Sequence, residues 1–211
     1  LVHPISEGVI VLLTRKDLPV KDMDELLALA RKSKDKPLTY GSVGVGSLYH
    51  LILEDVQKRK DVRFIHAPYK GNAPLITDLG GGQVDFAVLV YNEAMGAMAK
   101  EGRIKIIGQL GEKRAELLKQ IPTVSEGKEL KDFSFSIGSG FYVRKDTPEP
   151  VVQHIHKAIV SLLSDQKVRE TMEALSSTPA QPMSLDEAAK AFAADIARYG
   201  AIAKAINLQP Q

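Results

Sequence analysis

The sequence predicts an α/β protein whose mostly parallel sheet is covered by helices on both faces. Three observations carry this. Short apolar runs alternate with amphipathic stretches from Val9 to Leu110, in the order β-α-β-α-β-α-β-α-β, and parallel strands need crossover helices of that kind. Glycine, proline and capping residues punctuate the changes of pattern. The 211 residues are 44% hydrophobic and 26% charged, which is an ordinary globular balance with enough length for one large domain or two small ones.

Val9–Leu13 is a continuous apolar run and reads as a buried strand. Asp22 with Glu25 three residues on has the spacing of a helix cap. Met23, Leu26, Leu27 and Ala30 then fall on one helical face, and Lys36-Pro37 ends the pattern. Leu38–Tyr40 is a short strand that runs into "GSVGVGS". A helix is expected from about Ser47, with Leu48, Leu51, Ile52 and Val56 inward.

Val62–Ala67 is the next strand, followed by "PYKGNAP". Asn72 is expected to cap the following helix, with Pro74 in its first turn, and Gly80 to take the left-handed conformation at its end. Val84–Val90 is strongly apolar, Asn92–Glu101 is a short helix of small residues, and Ile104–Leu110 is a fifth strand.

Residues 111–132 are polar and irregular, with "IPTVSE" inside, and Phe133–Val143 is extended with glycines at 138 and 140. From "TPEP" onward the pattern is helical. One stripe is Val151, Val152, Ile155, Ala158, Ile159 and Leu162; another is Val168, Met172 and Leu175. Ser184 with Glu187 forms a capping box before Phe192, Ile196 and Tyr199. This helical tail has no evident sheet of its own, and an amphipathic helix needs a surface to cover, so a second domain is expected near residue 137.

The net charge of +2 is spread thinly, without the basic stripe of a nucleic-acid binder. Lys58–Lys60 reads as a solvated helix end. With no cysteine, disulfides, cysteine-ligated zinc and thiol nucleophiles are excluded. No apolar run is long enough to span a bilayer, and no secretory signal is visible.

The stretch "LTYGSVGVGSLYHL" is the first candidate site. It lacks the Gly-Lys-Ser/Thr of a nucleotide phosphate loop, and Gly41, Gly44 and Gly46 do not make the dinucleotide pattern. What remains is a strand–glycine–helix turn. Its amides, with the hydroxyls of Ser42 and Ser47, can hold a carboxylate or phosphate. A plain turn in which Ser47 is only a cap fits the spacing equally well. His50 lies one turn into the helix and can face a ligand, while His66 sits at a strand end. His154 and His156 are the one HxH pair, and on a helix they point apart, so no metal site is indicated. Lys70 sits where α/β sheets bind ligands, although a solvated lysine is the simpler account. Asp85, inside an apolar strand, needs a partner, either structural or a ligand. No GxSxG elbow or base–nucleophile pair argues for an enzyme.

Four stretches in this order, "TYGSVGVGSLYHL", "HAPYKGNAPLITDLGGGQVDF", "IPTVSE" and "GFYVRKDTPEPVV", with "ELLALARK" and the final "AINL" also in place, give a further reading. The chain resembles the substrate-binding receptors of tripartite tricarboxylate transporters, the Bug receptor family, along nearly its whole length. The resemblance implies a type II periplasmic binding-protein fold, in which two α/β lobes close over a ligand around hinge strands. It implies a periplasmic protein, secreted or lipid-anchored, that captures a small organic acid and passes it to membrane permease subunits, with no cofactor and no chemistry.

On that reading residues 1–13 are a remnant of the first lobe with a hinge strand. Residues 14–136 are a complete second lobe, and 137–211 are the return strand and first-lobe helices. The family's upstream glycine-rich loop, and any signal peptide, would precede Leu1, and the chain alone would bind weakly because one face of the ligand stays in water. The expected ligand-binding residues are Ser42, Gly44, Gly46, Ser47, His50, Lys70, Gly71, Asn72 and Asp85. The alternatives are the ligand-sensing effector domain of a transcription regulator with the same fold, which would need a DNA-binding helix pair upstream, and an anion-site enzyme.

Overall fold

The computed structural model describes residues 1–174 and 177–206. Contacts divide the described residues into two units, one of residues 9–136 with 202–206 and one of 1–8 with 137–201.

The larger unit carries a five-stranded sheet. Its strands are β2 (Ile10–Arg15), β3 (Thr39–Ser42), β4 (Ile65–Pro68), β5 (Phe86–Val90) and β6 (Ile104–Gln109), in the spatial order β4-β3-β5-β2-β6. β3 runs parallel to both β4 and β5, whereas β2 is antiparallel to β5 and β6. The expectation of a mostly parallel sheet therefore needs one correction. β2 opposes the rest because it enters from outside the βα repeats instead of through a crossover helix. It is also fully part of this sheet, with Ile10–Thr14 paired one by one with Val90–Phe86. The boundary expected after residue 13 thus falls inside a strand, and contacts place it after Gly8.

Helices α1 (Met23–Lys32), α2 (Leu48–Lys60), α3 (Asn72–Gly80) and α4 (Glu93–Lys100) join the strands. The α1 cap is as expected: Asp22 Oδ1 accepts from Glu25 N at 2.8 Å, and Met23, Leu26, Leu27 and Ala30 are buried. Burying each such leucine stabilises by roughly 1.5–3 kcal/mol. The Lys58–Lys60 cluster fills the last turn of α2, where cations complement the carbonyl end. Residues 111–132 contain two short 3₁₀ turns, at Glu116–Leu118 and Val124–Glu126.

Two caps differ from expectation. Gly71 precedes α3 and Asn72 is its first residue, with no side-chain cap bond. At the other end Gly82, at φ +78°, takes the left-handed conformation in place of Gly80, which remains helical.

The smaller unit corrects the expectation of a helical tail without a sheet. β1 (His3–Gly8) pairs antiparallel with β7 (Ile137–Phe141) on one side and with β8 (Thr178–Pro179) on the other. The sheet is assembled from three distant segments, two of them too short or too glycine-rich to show a period. α5 (Glu149–Ser164), α6 (Gln166–Ala174) and α7 (Leu185–Ala205) as far as Ala201 complete the unit. The inward side of α5 is Val152, Ile155, Ile159 and Leu163, packed with Val2 and Ala180. Val151 and Leu162, expected on that stripe, point out at 46% and 57% exposure. The Ser184–Glu187 capping box forms as read. Leu175 of the second stripe, and Asn207 and Leu208 of "AINL", lie outside the described residues.

Candidate functional site

β3 and β4 lie side by side and parallel, with Ser42 level with Pro68. The glycine loop and the Tyr69–Gly71 loop therefore leave the same end of the sheet as neighbours, stitched by Tyr69 N donating to Ser42 O at 2.8 Å. Each loop leads straight into a helix start, and neither α2 nor α3 has an acidic residue in its first turn. This is the carboxyl end of parallel strands, where open α/β sheets take their ligands.

The glycines of the first loop do different jobs. Gly44 and Gly46 have φ of +136° and +79°, which side chains rarely adopt. Gly41 is instead a packing residue, since a Cβ there would lie 2.0 Å from Leu75 Cδ1. Its bare surface lets α3 rest on β3 through the fully buried Leu75.

The two serines hold the loop from inside. Ser47 caps α2: its Oγ accepts from His50 N at 3.3 Å and donates to Gly44 O at 2.8 Å. Ser42 is completely buried, with its Oγ accepting from Gly44 N at 3.2 Å and lying 3.0 Å from Gly44 O and 2.7 Å from His66 Nε2. The expectation of a Ser42 hydroxyl on the ligand is corrected accordingly: the side chain faces inward and shapes the loop. The free donors at this end are backbone groups. Among the described residues, no side chain accepts from the amides of Leu48 and Tyr49 in the first turn of α2. Tyr49 itself is buried.

Beneath the loop lies a stack of rings. His50 and His66 are face to face at 4.3 Å with 16° between planes, and His66 lies on Tyr40 at 4.8 Å. Gly46 N donates to His50 Nδ1 at 3.1 Å. Tyr40 Oη donates to Glu54 Oε1 at 2.7 Å, and His50 Nε2 is 3.9 Å from the same oxygen. Burial lowers the pKa of both histidines; for His66 the neighbouring His50 lowers it further. Burial, then the bond to Glu54, raises the Tyr40 phenol far above its usual value. Tyr40 and Glu54 escaped the sequence reading. Both had a signal: Tyr40 shares a strand face with Ser42, and Glu54 is one helical turn beyond His50.

In the second loop, Tyr69 Oη donates to Asp78 Oδ2 at 2.8 Å and fixes the loop to α3. Burial and this bond push the Tyr69 pKa up to about 12. Gly71 has φ +109°, and Asn72 opens the helix. Lys70 is exposed and makes no side-chain bond to another described residue.

Asp85 does not join the site. Its Oδ1 pairs with Arg15 Nε at 2.9 Å and its Oδ2 accepts from Thr39 N at 2.8 Å. It precedes β5 at the level where β3 begins, about 10 Å from Ser42 at roughly 3.3 Å per residue. The half-buried carboxylate has its partners within the fold. Among the described residues no group of three or more His, Cys, Asp or Glu side chains is placed to hold a metal ion. No helix there is long and apolar enough to cross a membrane.

The model of the tripartite tricarboxylate transporter family receptor, TctC, matches residues 1–208. The chain belongs to this receptor family. A UPF0065 protein from the TAR-I ttuE-ttuC' intergenic region of Agrobacterium vitis is 31% identical over 192 residues, which are 89% of this chain and 55% of that protein. BugT of Bordetella pertussis is 25% identical, over 84% of this chain and 54% of its own length. The chain thus spans about half the length of the curated relatives it matches.

Among solved structures, the periplasmic binding protein BugD superposes with a TM-score of 0.80 at 26% identity, covering 99% of this chain and 69% of BugD. The R. palustris protein Rpa4515, solved with adipate, gives 0.85 at 24% identity, over all of this chain and 69% of that one. The fold is therefore that of the periplasmic binding proteins of this receptor family, and the family is one of transporter receptors, not of transcription regulators.

Proposed function

We propose that this TctC-family chain is part of an extracytoplasmic solute-binding receptor that captures a small organic acid and hands it to membrane permease subunits. The observation that carries the reading is the pairing of two helix starts at one sheet end. The Gly44–Tyr49 turn and the Lys70–Asn72 turn are adjacent, acid-free and supplied with backbone donors, and such donors suit a carboxylate. Lys70 adds a cation at the rim. Ser42, Ser47 and Tyr69 hold the donors in place, so little ordering is needed when the anion arrives. That the solved relatives include proteins with adipate and with bound malate supports the same ligand class. The unit of residues 9–136 corresponds, on this reading, to one lobe of the receptor, and the unit containing residues 137–201 to part of the other.

The test is amide NMR of the chain titrated with malate, adipate and an uncharged diamide. Shifts concentrated at residues 44–49 and 70–73, with the acids alone, are expected. Acids that leave those amides unmoved overturn the reading.

A further inference from the structure

The glycine loop is held by a group that titrates. Gly46 N–H points at His50 Nδ1 across 3.1 Å, so that nitrogen carries a lone pair and the proton of the neutral ring sits on Nε2. The same imidazole is stacked on His66, with Glu54 near Nε2. We infer that neutral His50 is a positioning residue for the anion-binding turn: its Nδ1 fixes the Gly46 amide, and a proton on Nδ1 releases the loop and weakens carboxylate capture. The part concerning capture rests on the function proposed above.

The chemistry is one of donors and acceptors. A protonated imidazole is a donor at both nitrogens. With hydrogen on Nδ1, two N–H groups face each other at the Gly46 contact and the bond is lost. Gly46 sits one residue before the Ser47 cap and two before the first free amide of α2, so its displacement moves the donors that a carboxylate would use.

The titratable groups around the ring are His66 from β4, Tyr40 from β3 and Glu54 from α2 itself. Glu54 favours the charged ring and His66 opposes it, because two stacked imidazoles cannot both be charged cheaply. His66 can be protonated and still donate to Ser42, so its titration alone leaves the loop bonded. Burial lowers the His50 pKa, which keeps the ring neutral at pH 7. The binding-competent form therefore dominates at neutral pH and is depleted as pH falls below the usual histidine range. If only that form binds, apparent affinity falls about tenfold per pH unit below the His50 pKa.

The experiment is a pH series from 8 to 5 on the ligand-free chain, following the His50 ring nitrogens and the Gly46 amide by NMR, with malate affinity measured at each pH. His50→Asn is the companion variant, since its Oδ1 can stand where Nδ1 stands and does not titrate. The expected result has three parts. His50 is an Nε2–H tautomer at pH 8, the Gly46 amide moves with the His50 titration, and wild-type affinity for the malate dianion drops about tenfold per pH unit below the His50 pKa while that of His50→Asn stays nearly flat. A Gly46 amide that ignores the His50 titration overturns the inference. So does a step that persists in His50→Asn, or an affinity that rises on acidification. If the Gly46 amide follows His50 but malate binds at no pH, the positioning role stands and the proposed ligand class falls.

Discussion

Where β3 and β5 begin, Asp85 accepts from the Thr39 amide and pairs with Arg15. At the other end of the sheet, where β3 and β4 finish, the starts of α2 and α3 offer amides with no acid in the first turn. The chain's own carboxylate completes one end of the sheet, and the donors at the other end are left for a carboxylate from outside. A buried or half-buried amide must find an acceptor. At one end the acceptor is built in and contributes to stability; at the other it can be a ligand and contribute to binding. Substitutions at the two ends should therefore separate stability from affinity.

The largest effect is expected at Gly41, which lets α3 reach β3. In Gly41→Ala the new methyl overlaps Leu75, so denaturant unfolding should show a loss of about 1–3 kcal/mol. Leu75→Val in the same chain should recover part of it, and a neutral Gly41→Ala would show that this packing is not as described. Next is Asp85→Ala, which leaves the Thr39 amide and Arg15 without their acceptor. The pair is partly exposed, at 29% and 22%, so about 1–2 kcal/mol is expected. Acid-ligand affinity should not change, and a parallel loss of affinity would erase the contrast between the two ends.

The smallest stability effects belong to the ligand end. Ser47→Ala removes a cap worth about 1 kcal/mol, and Lys70→Ala should stay within about 0.5 kcal/mol. Both should weaken carboxylate binding several-fold in calorimetry. Calorimetry showing unaltered affinity in both variants would move the ligand away from these turns.

Much of the larger unit was legible because its signals are local. The Asp22 cap, the α1 face and the Ser47 cap depend on residues three or four apart. The smaller unit's sheet was not legible. β1 pairs with β7 from His3 with Phe141 to Gly8 with Ile137, at opposite ends of the larger unit's sequence, and β8 is two residues long. No window of sequence contains both partners of such a pairing. Within the site, Ser42, Ser47 and His50 of the glycine loop and its helix meet His66 from the neighbouring strand, a pairing no local spacing announces. The serines and histidines hold the loop, and the donors that remain are amides of residues with apolar or aromatic side chains.

The sequence by itself determined the βα alternation, the place of the glycine loop and the family, because periodicity, capping and motif order are written along the chain. Only the tertiary structure decided which end of the sheet Asp85 occupies, that Gly41 serves packing while Gly44 and Gly46 serve conformation, and that His50 rests on His66 with its Nδ1 turned to Gly46. Those outcomes depend on strand register and helix placement. Register is set by pairing between distant segments, and a shift of one residue turns each side chain to the opposite face.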